Sequence, residues 1–122
     1  MAYANLAQLT ERFGLRMLIA LTDRADVALG VVDTSVVDQA LTDADAIIDG
    51  YLTGRYKLPL AQTPALLSDL AQTLAIWKLH TSAADPKIEA DYKEAMRSLR
   101  DISTGVIRLS VAGVEPTGTG SS

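Results

Sequence analysis

Between Val37 and Leu52 apolar residues recur at steps of three and four, and the run is closed by Gly54 and Pro59, two and seven residues further on. This sets a long amphipathic helix whose inner face is Val37, Ala40, Leu41, Ala44, Ile47, Ile48, Tyr51 and Leu52. The loop that follows cannot continue it, because proline lacks the amide a helix needs. One such helix cannot bury its stripe alone, so the rest of the chain must supply neighbours.

It does so with the same period. Leu6, Leu9 and Phe13 make a short helix that Asn5 or its neighbour can cap and Gly14 ends, and Leu15 to Leu21 form a second short piece. Asp23 to Val32 breaks the pattern, and Asp33 or Thr34 starts the long helix. Thr63-Pro64 has a capping hydroxyl followed by proline, the usual helix opening. After it, Leu66, Leu67, Leu70, Leu74, Ile76, Trp77 and Leu79 cover more than half a helix circumference, which predicts a central helix with neighbours on two sides. Trp77 is expected in the core. Asp85-Pro86 repeats the opening, and Ile88, Tyr92, Ala95, Met96, Leu99 and Ile102 run on to Gly105. Glu89 with Lys93, and Arg97 with Asp101, are expected as surface i,i+4 pairs.

From Val106 to Val111 the period changes to two, with Ile107, Leu109 and Val111 on one side and Val106, Arg108 and Ser110 on the other. That alternation predicts a short strand with no second strand in the chain to pair with. The fold expected is mainly α: a bundle of about four to five helices in one domain over 1–112, a short C-terminal β-strand, and an extended tail over 113–122 whose Gly, Thr and Ser content is that of a linker.

Composition sets the limits on function. The chain has 122 residues, enough for one core and too few for two, and a single Phe and Trp leave the packing to Ala and Leu. A net charge of −4 with no cluster of Lys or Arg argues against a duplex-binding surface. No cysteine is present, which removes disulfides, thiolate zinc sites and thiol catalysis. No apolar run reads as a leader or a membrane span, so the chain is expected to be made in the cytoplasm. Phosphate loops, nucleophile elbows and paired-histidine metal motifs are missing, so no enzyme, cofactor or metal site is expected. His80 stands alone. Asp23, Asp26 and Asp33 lack the alternation of a calcium loop and read as turn and cap residues.

Two groups remain ambiguous from the residues. Asp38, Asp45 and Asp49 share a helix face with no basic residue before Arg55. The face is either plain solvated exterior or an electrostatic surface toward a partner or a channel. Arg55-Tyr56 with Leu58-Pro59-Leu60 either lids the domain's own core or docks a neighbouring subunit.

In order and spacing, Leu21-Thr22-Asp23-Arg24, the helix running into Arg55-Tyr56 and Leu58-Pro59-Leu60, and the helix ending in Ile102 to Leu109 resemble the Mu-like tailed-phage family of small head-to-tail connector proteins. The likeness covers about Tyr3 to Leu109. The chain departs from the family's Gly- and Asp-rich turn after the Asp-Arg pair, reading Ala25 to Asp33 instead. The resemblance implies a virion structural subunit at the phage neck, assembled in the host cytoplasm. About twelve copies would form a ring on the portal protein and meet the stopper or tail-completion protein, while DNA passes without sequence-specific contact. On this view Ile107, Leu109 and Val111, with Arg108, add a strand to a partner, and Leu109→Asp is expected to block incorporation while sparing the helices. A stopper ring, or a stand-alone helical regulatory module binding one protein partner, is the alternative.

Overall fold

The computed structural model describes residues 2–109. Five helices account for most of them: α1 (Leu6–Phe13), α2 (Leu15–Thr22), α3 (Thr34–Leu52), α4 (Ala65–Leu79) and α5 (Pro86–Ser103). No β-strand forms among the described residues.

Local chemistry sets the boundaries. Asn5 and Gln8 cap α1 reciprocally, each side chain meeting the other's backbone amide at 2.9 and 3.0 Å. Gly14, at φ 92°, turns the chain between α1 and α2 in a conformation other residues avoid. Asp33 accepts from the amides of Ser35 and Val36 at the start of α3, and Asp85 from Lys87 at the start of α5. The opening of α4 differs from expectation. Pro64 itself occupies the cap position and no side chain caps the helix, so Thr63 lies one residue too far back to serve. Gly105, at φ 84°, ends the run after α5.

Helices α3, α4 and α5 pack on one another, and α1 and α2 lie against α3 and α4. As the apolar circumference requires, α4 is the central element: Leu67, Leu70, Ala71, Leu74, Ala75, Ile76 and Leu79 are all buried. Val37, Ala40, Leu41, Ala44, Ile48 and Leu52 meet it from α3, and Ile88, Ala95, Leu99 and Ile102 from α5. The core is one continuous aliphatic cluster. Removing any of its fully buried leucines should cost about 2–5 kcal/mol.

Three expectations need correction here. Trp77 is half-buried rather than interior; it stacks flat on Tyr92 at 4.5 Å, joining α4 to α5 from the rim of the core. Arg97 pairs with Glu94 at 3.1 Å, one turn back, instead of reaching forward to Asp101, while Lys93 and Glu89 meet at 3.4 Å. The third concerns Val106 to Leu109. Alternation is present, with Val106 and Arg108 outward and Ile107 and Leu109 inward, yet it serves the chain's own bundle. Leu109 is 2% exposed. A segment crossing an apolar surface buries alternate residues without needing a ladder, which is why the pattern resembled a strand. Ser110 and Val111, and the tail over 113–122, lie outside the described residues.

Candidate functional site

Two apolar loops are the chief features left over once the core is built. The first, residues 53–64, leaves α3 and folds back over the end of the bundle. Tyr56 and Leu60 are buried, Leu58 is partly so, and the Leu58–Pro59 peptide is cis. The Arg55 guanidinium carbon lies 5.5 Å from the centre of the Tyr56 ring. It also passes close to Gly105, where a Cβ would sit 3.0 Å from Nη1, but it is the positive φ of 84° that holds this position for glycine. The Leu109 amide donates to the Tyr56 hydroxyl at 3.4 Å, joining residues 53 positions apart. Arg55, Tyr56, Leu58, Pro59, Ile107 and Leu109 are thus brought together into a lid on the chain's own core. Leu109→Asp would therefore bury a carboxylate and damage the fold, contrary to the expectation that the helices are spared.

The second loop, residues 23–33, does the opposite. Val27, Leu29 and Val31 are 76%, 70% and 57% exposed. The loop is nevertheless anchored from beneath. Asp23 takes the amides of Leu29 (3.1 Å) and Gly30 (2.8 Å) on its two carboxylate oxygens. Arg24 donates to the carbonyls of Leu21 and Leu79, tying the loop to the end of α4. The buried Thr22 hydroxyl donates to Leu18 and accepts from the Asp33 amide at 3.0 Å, closing the loop's other end. Asp23 and Asp33 therefore have structural roles as turn and cap. The Ser35 hydroxyl, above all, holds Asp33 below the usual carboxylate range, assisted by the Val36 and Ser35 amides.

The acidic face of α3 divides. Asp38 is exposed. Asp45 and Asp49 are half-buried because the N-terminal segment lies on them: the Tyr3 amide donates to Asp45 at 3.0 Å and the Tyr3 hydroxyl donates to Asp49. Burial pushes the Asp45 carboxyl above its ordinary range. Tyr3 is 2% exposed, and burial first, then its bond to Asp49, raises its phenol well above 10.0. The face that the sequence showed as one patch is thus a tether for Tyr3 plus one open aspartate.

Sequence reasoning missed Tyr3 and the outward set of the apolar side chains in the 23–33 loop. The clue to the loop lay in Thr22-Asp23-Arg24, whose hydroxyl, carboxylate and guanidinium are all spent on backbone groups. For Tyr3 no local signal exists, since its partners lie 42 and 46 residues away. His80 Nδ1 sits 2.8 Å from the Ile76 carbonyl, a helix-end contact that places its proton on Nδ1. No helix among the described residues is long and apolar enough to cross a membrane.

The chain matches the family model described as Bacteriophage Mu, Gp36, over residues 3–122. It is 38% identical over 105 residues to "Gene product J" of Escherichia phage Mu, an alignment covering 86% of this chain and 74% of the phage protein. It is also 34% identical over 117 residues to the "Mu-like prophage FluMu protein gp36" of Haemophilus influenzae, covering 94% of this chain and 80% of that one. With a match spanning nearly every residue, and two relatives aligned over 86% and 94% of its length, the chain belongs to the Bacteriophage Mu Gp36 family.

Proposed function

We propose that the protein is a non-enzymatic structural subunit of a phage particle, an adaptor that forms a ring between the portal and the next neck or tail component. The observation that carries this reading is the exposed apolar loop of Val27, Leu29 and Val31, anchored by Asp23, on a small helical bundle of a Mu phage family. Exposed apolar groups held in a fixed shape are what a subunit offers to other protein surfaces.

Charge fits the same role. Between Ala25 and Gly54 the chain carries six aspartates and no Lys or Arg. Where Asp38 faced a channel, like charge would let DNA pass without adhering. The Tyr56–Leu109 lid would act within the subunit as a rigid end, and Ser110, Val111 and the tail beyond would reach the portal or an adjacent copy.

Sedimentation of the purified protein with its cognate portal, beside the chain cut after Ala112, tests the proposal. A ring-sized complex is expected from the intact chain and a weakened one from the shortened chain. A small complex of one or two copies with a single partner, or no portal binding, would overturn it.

A further inference from the structure

Residues 2–22, which include α1 and α2, are held to the molecule differently from the three long helices. Within the α3–α5 bundle, Leu52, Leu67, Leu74, Leu99 and Ile102 are fully buried. Of the large aliphatic side chains in residues 2–22, Leu9 and Leu18 are fully buried, Leu6, Met17 and Leu21 are partly covered, and Leu15 is 54% exposed.

Clefts follow the edges of this segment. One of about 540 Å³ runs between Ala4, Asn5 and Gln8 on one side and Thr63, Ser68 and Gln72 at the opening of α4 on the other. Another, of about 450 Å³, parts Phe13 and Met17 from Ile88 on α5. Surfaces parted in this way forgo the close contacts that hold a packed interior together.

Polar groups do much of the fastening. At the start of the segment the Tyr3 amide donates to Asp45 at 3.0 Å and the Tyr3 hydroxyl donates to Asp49, both on α3. In its middle the Arg12 guanidinium donates to the Asp69 carboxylate at 2.9 Å and to the Thr73 hydroxyl at 3.1 Å, both on α4. At its far end the Thr22 hydroxyl accepts from the Asp33 amide, and the next residue but one, Arg24, donates to the Leu79 carbonyl.

We infer that residues 2–22 form a strap that opens as one unit, lifting from α4 while α3, α4 and α5 stay folded, with Thr22 to Arg24 as its pivot. The inference goes beyond the adaptor reading and does not depend on it. The strap opens as a unit because its helices, Leu6–Phe13 and Leu15–Thr22, are each far shorter than the roughly 12–15 residues an isolated helix needs in water. Once lifted, neither keeps its own hydrogen bonds. The pivot lies at Thr22 to Arg24 because those residues are tied to the start of α3 and the end of α4. Opening uncovers the Thr73 side of α4 and frees the carboxylates of Asp45 and Asp49, a surface that the closed subunit hides. Weakly held units of this kind are where regulated movements are found.

Native-state hydrogen exchange of the full-length protein, read by NMR at increasing low concentrations of guanidinium chloride, tests the strap. The protected amides of α1 and α2 should share one opening equilibrium, exchange at least about tenfold faster than the slowest amides of α4, and respond weakly to denaturant because their opening exposes little surface. Ile102→Val, a conservative change on the buried face of α5, separates strap opening from global unfolding. It should speed the slowest α4 exchange by about fivefold and leave α1 and α2 unchanged, since the contacts of Ile102 persist when the strap lifts. Tyr3→Phe, which removes a fastening, should speed α1 and α2 by about tenfold. Equal acceleration of α1, α2 and α4 by Ile102→Val, or one denaturant slope for all three helices, would overturn the inference, because residues 2–22 would then leave only when the whole bundle unfolds. So would an opening of α1 that α2 does not share, or no acceleration by Tyr3→Phe.

Discussion

Loops 53–64 and 23–33 are built from similar residues, and the fold uses them in opposite ways. Each carries three or more large apolar side chains and a glycine or proline that forbids helix. In the first, Tyr56 and Leu60 turn inward and are met by Leu109 arriving from the far end of the chain. In the second, Val27, Leu29 and Val31 turn outward while the polar residues beneath them hold the backbone. Apolar content alone does not tell whether a loop will be covered within its own chain. The loop that leaves α3 is covered because it folds back on the bundle, where Tyr56 and Leu60 join the core.

The comparison breaks first at Tyr56. Truncation by Tyr56→Ala should cost about 3–5 kcal/mol, read as a large fall in the denaturant midpoint, because it empties the lid and leaves the Leu109 amide without this acceptor. A loss below 1 kcal/mol would mean that the first loop is as dispensable to the fold as the second.

Tyr3 sharpens the picture of the acidic face. Removing its hydroxyl by Tyr3→Phe should cost about 1.5 kcal/mol near neutral pH, the order expected for a bond to a charged acceptor. The phenol's folded pKa lies above its ordinary 10.0, so its contribution is complete below pH 10 and is lost as pH rises further. Wild type should therefore lose stability above pH 10 more steeply than Tyr3→Phe, measured by chemical denaturation across that range. Parallel curves would show that Asp49 does not hold the tyrosine.

At the small end, Leu29→Ser should change stability by less than about 0.5 kcal/mol, since the side chain touches solvent and Asp23 still holds the loop. The same variant should lose incorporation into particles. Unfolding at a much lower temperature would place the second loop with the first, as part of the core.

Helix positions were legible because each rests on short-range signals: Asn5, Asp33 and Asp85 as caps, Gly14 and Gly105 as stops, and apolar spacing between them. Val106 to Val111 shows where such reading fails. Period two in the sequence reports only that alternate residues meet something apolar, and here Ile107 and Leu109 meet their own bundle. Asp38, Asp45 and Asp49 fail in the same way, since one face of a helix is local knowledge and the arrival of Tyr3 on it is not. Trp77 was placed too deep because a helix with neighbours on two sides still has a rim.

The sequence by itself determined a mainly helical fold, the approximate positions of the helices, and the inward stripes of α3, α4 and α5. These follow from backbone chemistry and spacing within a few turns of chain. Only the tertiary structure decided which apolar loop is covered, which aspartates are bound and where Leu109 goes. Each of those outcomes joins residues more than 40 positions apart, or depends on space left after the bundle has packed, and no local pattern encodes either.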